Sequence, residues 1–220
     1  VNRDMAAGRE FPVFLKPEKK MTLDDVKSVL RSHYEGTSHD PYTNGLNSKE
    51  PWRPVSVFRT YEAHVMQVRP WLPKEIGETT YIGLGMADLT AFVPYYSGLK
   101  AYPANYTMGT DKADDQSIYW KYRKLQTLTI TDYPKLAPIV KKAYKAWEDK
   151  VAKEQKEVEA EYLKMAKTDK PAADKMLNDF NLRIMADAEK LTEDLTNQLF
   201  TIRTKDIQSD IFFANATKND

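Results

Sequence analysis

No cysteine occurs anywhere in the 220 residues. Its absence removes disulfides, thiolate metal ligands and a thiol nucleophile together. It does not fix the compartment, because cytoplasmic and exported proteins can both lack the residue. Neither charge is in excess: 33 Lys and Arg stand against 32 Asp and Glu, for a formal net charge of +1. No global field therefore marks a nucleic-acid or anionic-membrane partner. No apolar run approaches the roughly 18 residues that a bilayer-crossing helix requires. The opening residues, Val1-Asn2-Arg3-Asp4, carry no initiator Met and no signal-peptide pattern. The expectation is a cytoplasmic protein from which an upstream part has been cut or left out. Other signatures are missing too. Gly83-Leu84-Gly85-Met86 lacks the third glycine and the following helix of a dinucleotide loop and reads as a turn between strands. There is no Gly-x-Ser-x-Gly elbow and no His-Glu-x-x-His helix.

What is present is ordinary for a globular chain, 41% hydrophobic and 30% charged. Its character changes near residue 110. Gly109 is the last glycine, and Lys, Glu, Ala and Leu dominate beyond it. Residues 1–110 read as a strand-and-loop part, and 111–220 as a helical region packing on it, the two forming one domain with a missing N-terminal half. Thr22 with Asp25 three residues later predicts a capped helix that ends by Gly36. A polar loop over 37–54 follows, broken by Pro41, Gly45, Pro51 and Pro54. Dense β-branched and aromatic residues predict strands over 55–69, 79–84 and 89–95, with short connections that favour an antiparallel meander. Helices are predicted over 117–128, 133–167 and 172–201, the last two as a hairpin. The fold class is thus α+β, with helices concentrated after residue 116. A half-sheet of this kind exposes an edge and an apolar face, so self-association into a homo-oligomer, or pairing with the other half, is expected.

Chemistry-bearing residues are few. The histidines are His33, His39 and His64. His33, His39 and Asp40 would be the ligands of a metal-dependent hydrolase, but His-x5-His in a loop is a weak pattern and hydrogen-bonded loop histidines are the simpler reading. Arg59 follows Val57-Phe58 on an apolar segment, where an arginine needs a partner. A structural salt bridge or a guanidinium presented to a substrate carboxylate or oxyanion would each supply one. The charged helical region taken alone would also suit an interaction or scaffold module without catalysis.

Four stretches, in order, resemble the C69 family of dipeptidases. They are Arg31-Ser32-His33-Tyr34-Glu35-Gly36-Thr37-Ser38-His39-Asp40-Pro41; then Arg53-Pro54-Val55-Ser56-Val57-Phe58-Arg59-Thr60, with Ala63-His64 shortly after; then 85–98, Gly-Met-Ala-Asp-Leu-Thr-Ala-Phe-Val-Pro-Tyr-Tyr-Ser-Gly; and 117–125, Ser-Ile-Tyr-Trp-Lys-Tyr-Arg-Lys-Leu. The resemblance runs from about Asp4 to Arg203. It implies an N-terminal-nucleophile hydrolase: two stacked antiparallel sheets between helical layers, with a cysteine at the mature N-terminus as nucleophile and its free α-amino group as base. It also implies dipeptide substrates and no cofactor or metal. With no thiol here, the nucleophile would lie in the missing half and this chain alone would be inactive. Ser56-Val57-Phe58-Arg59 looks like the arginine-bearing strand of the related choloylglycine hydrolases, which makes Arg59 the catalytic candidate. The loop at His33, Tyr34 and Glu35 would form the lip of the substrate cleft. Glu35 or Asp40 would meet the dipeptide amine, Arg31 or Arg59 its carboxylate, and His64 completes the substrate-binding candidates.

Overall fold

Thr22 and Asp25 close a reciprocal capping box ahead of α1 (Leu23–Arg31). The Thr22 hydroxyl accepts from the Asp25 N–H at 3.1 Å, and the Asp25 carboxylate accepts from the Thr22 N–H at 2.8 Å. This helix opens a computed structural model that describes residues 14–43 and 53–216. The expected loop residues Gly45 and Pro51 lie outside the described residues. α1 stops at Arg31, ahead of the expected Gly36, and the chain turns through Tyr34 and Gly36 with positive φ (66° and 75°).

The architecture is α+β. β1 (Glu62–Val68), β2 (Glu78–Leu84) and β3 (Val93–Tyr96) form an antiparallel meander in the order β1-β2-β3, with the one-turn α2 (Lys74–Gly77) between the first two. Side chains alternate across the sheet. Ala63 and Val65 turn inward to pack with Tyr81, Phe92 and the α1 residues Leu23 and Leu30. His64, Met66 and Val68 turn outward and are exposed. Three long helices follow, α3 (Ile118–Ile130), α4 (Tyr133–Met165) and α5 (Lys170–Ala216). α5 continues well past the expected Thr201, since no proline or glycine follows Pro171 to stop it. The core lies where α3, α4 and α5 meet the sheet. Leu89, Leu125, Leu136, Val140, Ile184 and Leu199 are all fully buried there. Inside it, the Tyr144 and Thr192 hydroxyls join α4 to α5 at 2.8 Å. Among the described residues there is one sheet.

Two strand expectations need correction. Residues 55–61 are not strand: β1 begins at Glu62, and Arg59 stands on an exposed turn closed by the Thr60 N–H on the Val57 carbonyl at 3.0 Å. The backbone groups that a ladder would use are taken elsewhere. Arg123 of α3 donates to the Phe58 carbonyl and, at 2.7 Å, to the Thr60 carbonyl, while the Ser56 N–H donates to the Ser32 carbonyl at 2.9 Å. The third strand likewise starts at Val93 rather than 89, because side chains hold the preceding 3-10 turn (Ala87–Leu89) and residues 90–92. Gln126 accepts from the Met86 N–H at 3.0 Å and donates to the Leu84 carbonyl at 2.8 Å. Gly85, at φ 76°, is required beside it: a Cβ there would lie 2.2 Å from the Gln126 Oε1.

β3 is an edge strand, but α5 closes it. The fully buried Asn181 accepts from the Tyr96 N–H at 3.1 Å and donates to the Pro94 carbonyl at 2.9 Å. Asn181→Ala would orphan two buried backbone groups. It is expected to cost about 3 kcal/mol in urea unfolding with an unchanged denaturant slope. Asn178→Ala removes only an exposed bond to the Lys100 N–H and should cost under about 0.5 kcal/mol. Equal losses from the two would refute the edge-closing role.

Candidate functional site

On α1, Leu23, Lys27 and Leu30 fall at helical spacing on one face. Lys27 is therefore carried inward and is only 5% exposed. It meets Glu148, which lies on the buried stripe of α4 with Tyr144 and Val151. Glu148 Oε1 accepts from Arg31 at 2.6 Å and from the Phe92 N–H at 2.7 Å, and its Oε2 lies 3.9 Å from the Lys27 ammonium. Arg31 also donates to the Thr90 carbonyl at 3.2 Å and lies over the Phe92 ring. Burial pushes the Lys27 ammonium below its ordinary value, against the opposing pull of Glu148. Beside this cluster, α1, the inner sheet face and α4 bound a cleft of about 240 Å3. Its far end is closed by a two-pronged pair in which Arg69 donates to Glu159 at 2.6 and 2.8 Å.

A second assembly surrounds His33. Its Nδ1 is 3.0 Å from Asp40 Oδ1, and its Nε2 is 2.9 Å from the Tyr133 hydroxyl and 3.5 Å from Asp88 Oδ2. Tyr133 donates its own proton to Asp88. Its oxygen is then left to accept from His33 Nε2, and with Nδ1 facing Asp40 Oδ1 this arrangement favours a ring that carries both protons. Lys141 pairs with the other Asp88 oxygen at 2.7 Å. His33 and Lys141 thus both face the buried Asp88, with Asp40 on the other side of the His33 ring. Burial alone would lower the His33 value, but hydrogen bonds to Asp88 and Asp40 outweigh it and the net direction is upward. Burial likewise opposes ionisation of Asp88, but His33 and Lys141 hold it below its ordinary value. The loop is pinned further by Tyr42, whose N–H donates to Asp40 at 2.9 Å and whose hydroxyl donates to the Ser56 carbonyl at 2.8 Å.

The candidates from sequence are thus dispersed. His33 and Asp40 come together, buried and mutually bonded. Arg31 lies one element away, committed to Glu148. Glu35 is exposed and accepts from the His33 N–H at 2.9 Å. Burial raises its carboxyl, but this and its own backbone N–H hold it below the ordinary range. Tyr34 reaches the Arg53 carbonyl at 3.4 Å. Arg59 is exposed on its turn, and His64 stands on the outer sheet face, paired with Glu62 at 3.0 Å. Lys27, Asp88, Tyr133, Lys141 and Glu148 were not singled out from sequence. The available signal was a charged residue inside an apolar helical stripe, as at Lys27 and Glu148. Among the described residues, no group of three or more His, Asp or Glu is placed to hold a metal ion, and no helix is long and apolar enough to cross a membrane.

The sequence model of peptidase family C69 matches residues 2–146. The chain is 51% identical over 108 residues to a probable dipeptidase of Salmonella dublin, covering 49% of this chain and 24% of that protein. It is 32% identical over 114 residues to probable dipeptidase B of Lactococcus lactis subsp. lactis, covering 51% and 24%. A dipeptidase of Bifidobacterium longum is 29% identical over 121 residues, covering 54% and 23%. The matched stretch spans about a quarter of the length of these curated relatives.

The doubly protonated His33 has a pH signature. Its folded value lies above the ordinary 6.5, so its stabilisation is fully present below about pH 6.5 and is lost as pH rises through the folded value. His33→Gln should cost about 3–5 kcal/mol in urea unfolding at pH 6, the range for breaking a buried charge pair, and clearly less at pH 9. The same penalty at both pH values would refute the imidazolium.

Proposed function

This chain belongs to peptidase family C69, and we propose that it is the C-terminal portion of a cysteine dipeptidase that hydrolyses dipeptides by acyl transfer. The observation that carries the reading is a family match over 2–146 in a chain without a single cysteine. Acyl transfer by a thiol needs a thiolate attacking the peptide carbonyl, with donors ready for the oxyanion. In this reading the nucleophile, a cysteine at the mature N-terminus, belongs to polypeptide outside this sequence, and the chain alone turns over nothing.

Its contribution is a binding lip. The 32–42 loop and the 55–60 turn are one unit, joined by the Ser56 N–H on the Ser32 carbonyl and by Tyr42, whose hydroxyl also accepts from the Phe58 N–H at 3.1 Å. Arg59 and Glu35 are exposed on that unit, with opposite charges suited to the carboxylate and ammonium of a dipeptide. The buried His33–Asp40 pair holds the loop beneath them. Among the described residues β1 pairs only with β2, and the outer face exposes Met66 (70%) and Val68 (65%). We place the rest of a two-sheet hydrolase sandwich against this edge and face. In the isolated piece a second copy would pair there instead. A cytoplasmic location belongs to the same proposal.

Purified 1–220 is expected to show no dipeptide turnover; activity resistant to thiol-blocking reagents would overturn the nucleophile assignment. In the full-length parent, Arg59→Ala should lower kcat/KM by about 10²-fold, the loss typical of one oxyanion donor, and Arg59→Lys should not rescue it. Normal cleavage by both folded variants would remove Arg59 from the site.

A further inference from the structure

Lys27 is a buried side chain that brings an ammonium, with three hydrogen bonds to give, to the cleft between α1, the sheet and α4. Its ammonium makes none with any described residue. The nearest carboxylate oxygen, on Glu148, is 3.9 Å away, beyond hydrogen-bonding reach. The one carboxylate beside it is shared. Glu148 brings one negative charge against two cations, and its Oε1 is occupied by Arg31 and the Phe92 N–H. The remaining contacts of Arg31 are neutral carbonyls. Three further acids line the cleft: Asp149 is paired with Lys145, Glu159 with Arg69, and Asp24, exposed at the mouth, adds its own attraction for the ammonium. An ammonium with spare donors on a buried side chain, beside a carboxylate already shared with Arg31, can take an incoming anion as a further partner.

The walls narrow the choice of anion. The Tyr81 ring lies 4.8 Å and the Phe92 ring 5.8 Å from the Lys27 ammonium, and both rings line the cleft. The Tyr81 hydroxyl accepts from Gln155 at 3.4 Å, and its own proton has no acceptor among the described residues. We propose that this cleft is a binding site for a small aliphatic monocarboxylate, whose carboxylate bonds Lys27 and whose hydrocarbon part lies on Tyr81 and Phe92. A cleft of about 240 Å3 suits a few heavy atoms and excludes a macromolecular partner. The site lies on the face of the sheet opposite His64, and it stands whether or not the chain belongs to a dipeptidase. A bound carboxylate would raise the Lys27 value, which burial holds down.

The test is NMR titration of the purified chain, labelled at the lysine ε-methylene carbons. Sodium butyrate is the probe, n-butanol the neutral isostere and sodium phosphate the competing anion. Butyrate should shift the Lys27 signal saturably and move its titration to higher pH, whereas butanol should leave it in place and phosphate should bind at least tenfold more weakly. Lys27→Met should weaken butyrate binding at least tenfold, whereas Lys156→Met, exposed on the rim, should change it less than threefold. The wild-type comparison of the three probes decides the matter if Lys27→Met fails to fold. No saturable butyrate shift, or an equal response to butanol, overturns the site. Phosphate binding as tightly as butyrate overturns the carboxylate assignment.

Discussion

The burial of the Glu148 carboxylate constrains much of this structure. A carboxylate inside a protein is tolerated only when its oxygens are met by donors and its charge by cations. Here two segments meet those demands: α1 with Arg31 and Lys27, and the chain entering β3 with the Phe92 N–H. Because Glu148 sits on α4, these contacts seat α1 and the sheet entrance on that helix. The cleft beside Lys27 follows from this seating.

Long polar side chains hold irregular backbone at several other places. Arg123 occupies the carbonyls of 58 and 60, Gln126 those at the end of β2, and Arg31 those of 87 and 90. Each substitutes for a neighbouring strand, so that non-repetitive chain can lie buried against helices with its hydrogen bonds made. The result is a single, well-fastened loop-and-turn unit. The 32–42 loop and the 55–60 turn carry exposed Glu35 and Arg59 over a base fastened by His33, Asp40, Tyr42 and Ser56. Supports of this kind hold the side chains above them in place.

Elements whose cause is local were legible in the sequence. The capping box at Thr22 and Asp25, the alternation along β1 and the helices beyond residue 116 need only neighbouring residues to form, and all are present, with α5 alone running well beyond its expected end. The misread segment, 55–61, has strand-forming residues in Val55, Val57 and Phe58, but its carbonyls are claimed by Arg123, far along the chain. Propensity does not report such a partner. The same non-locality hid the charge clusters. Asp88, Tyr133 and Lys141 come from different elements and converge only in the fold. Lys27 and Glu148 were visible as charged residues within apolar helical stripes, yet each resembles an ordinary solvated charge when the stripe is not traced.

The two ends of the sheet are unlike. The Asn181 amide occupies the β3 edge with one donor and one acceptor, while β1 presents an edge without a strand beside it among the described residues. Lateral growth of this sheet is therefore one-directional. A strand arriving from elsewhere can add at β1 alone, which gives assembly a polarity and leaves a single register-setting boundary. Open-ended stacking of copies, which needs two free edges on each, is disfavoured by one side-chain amide.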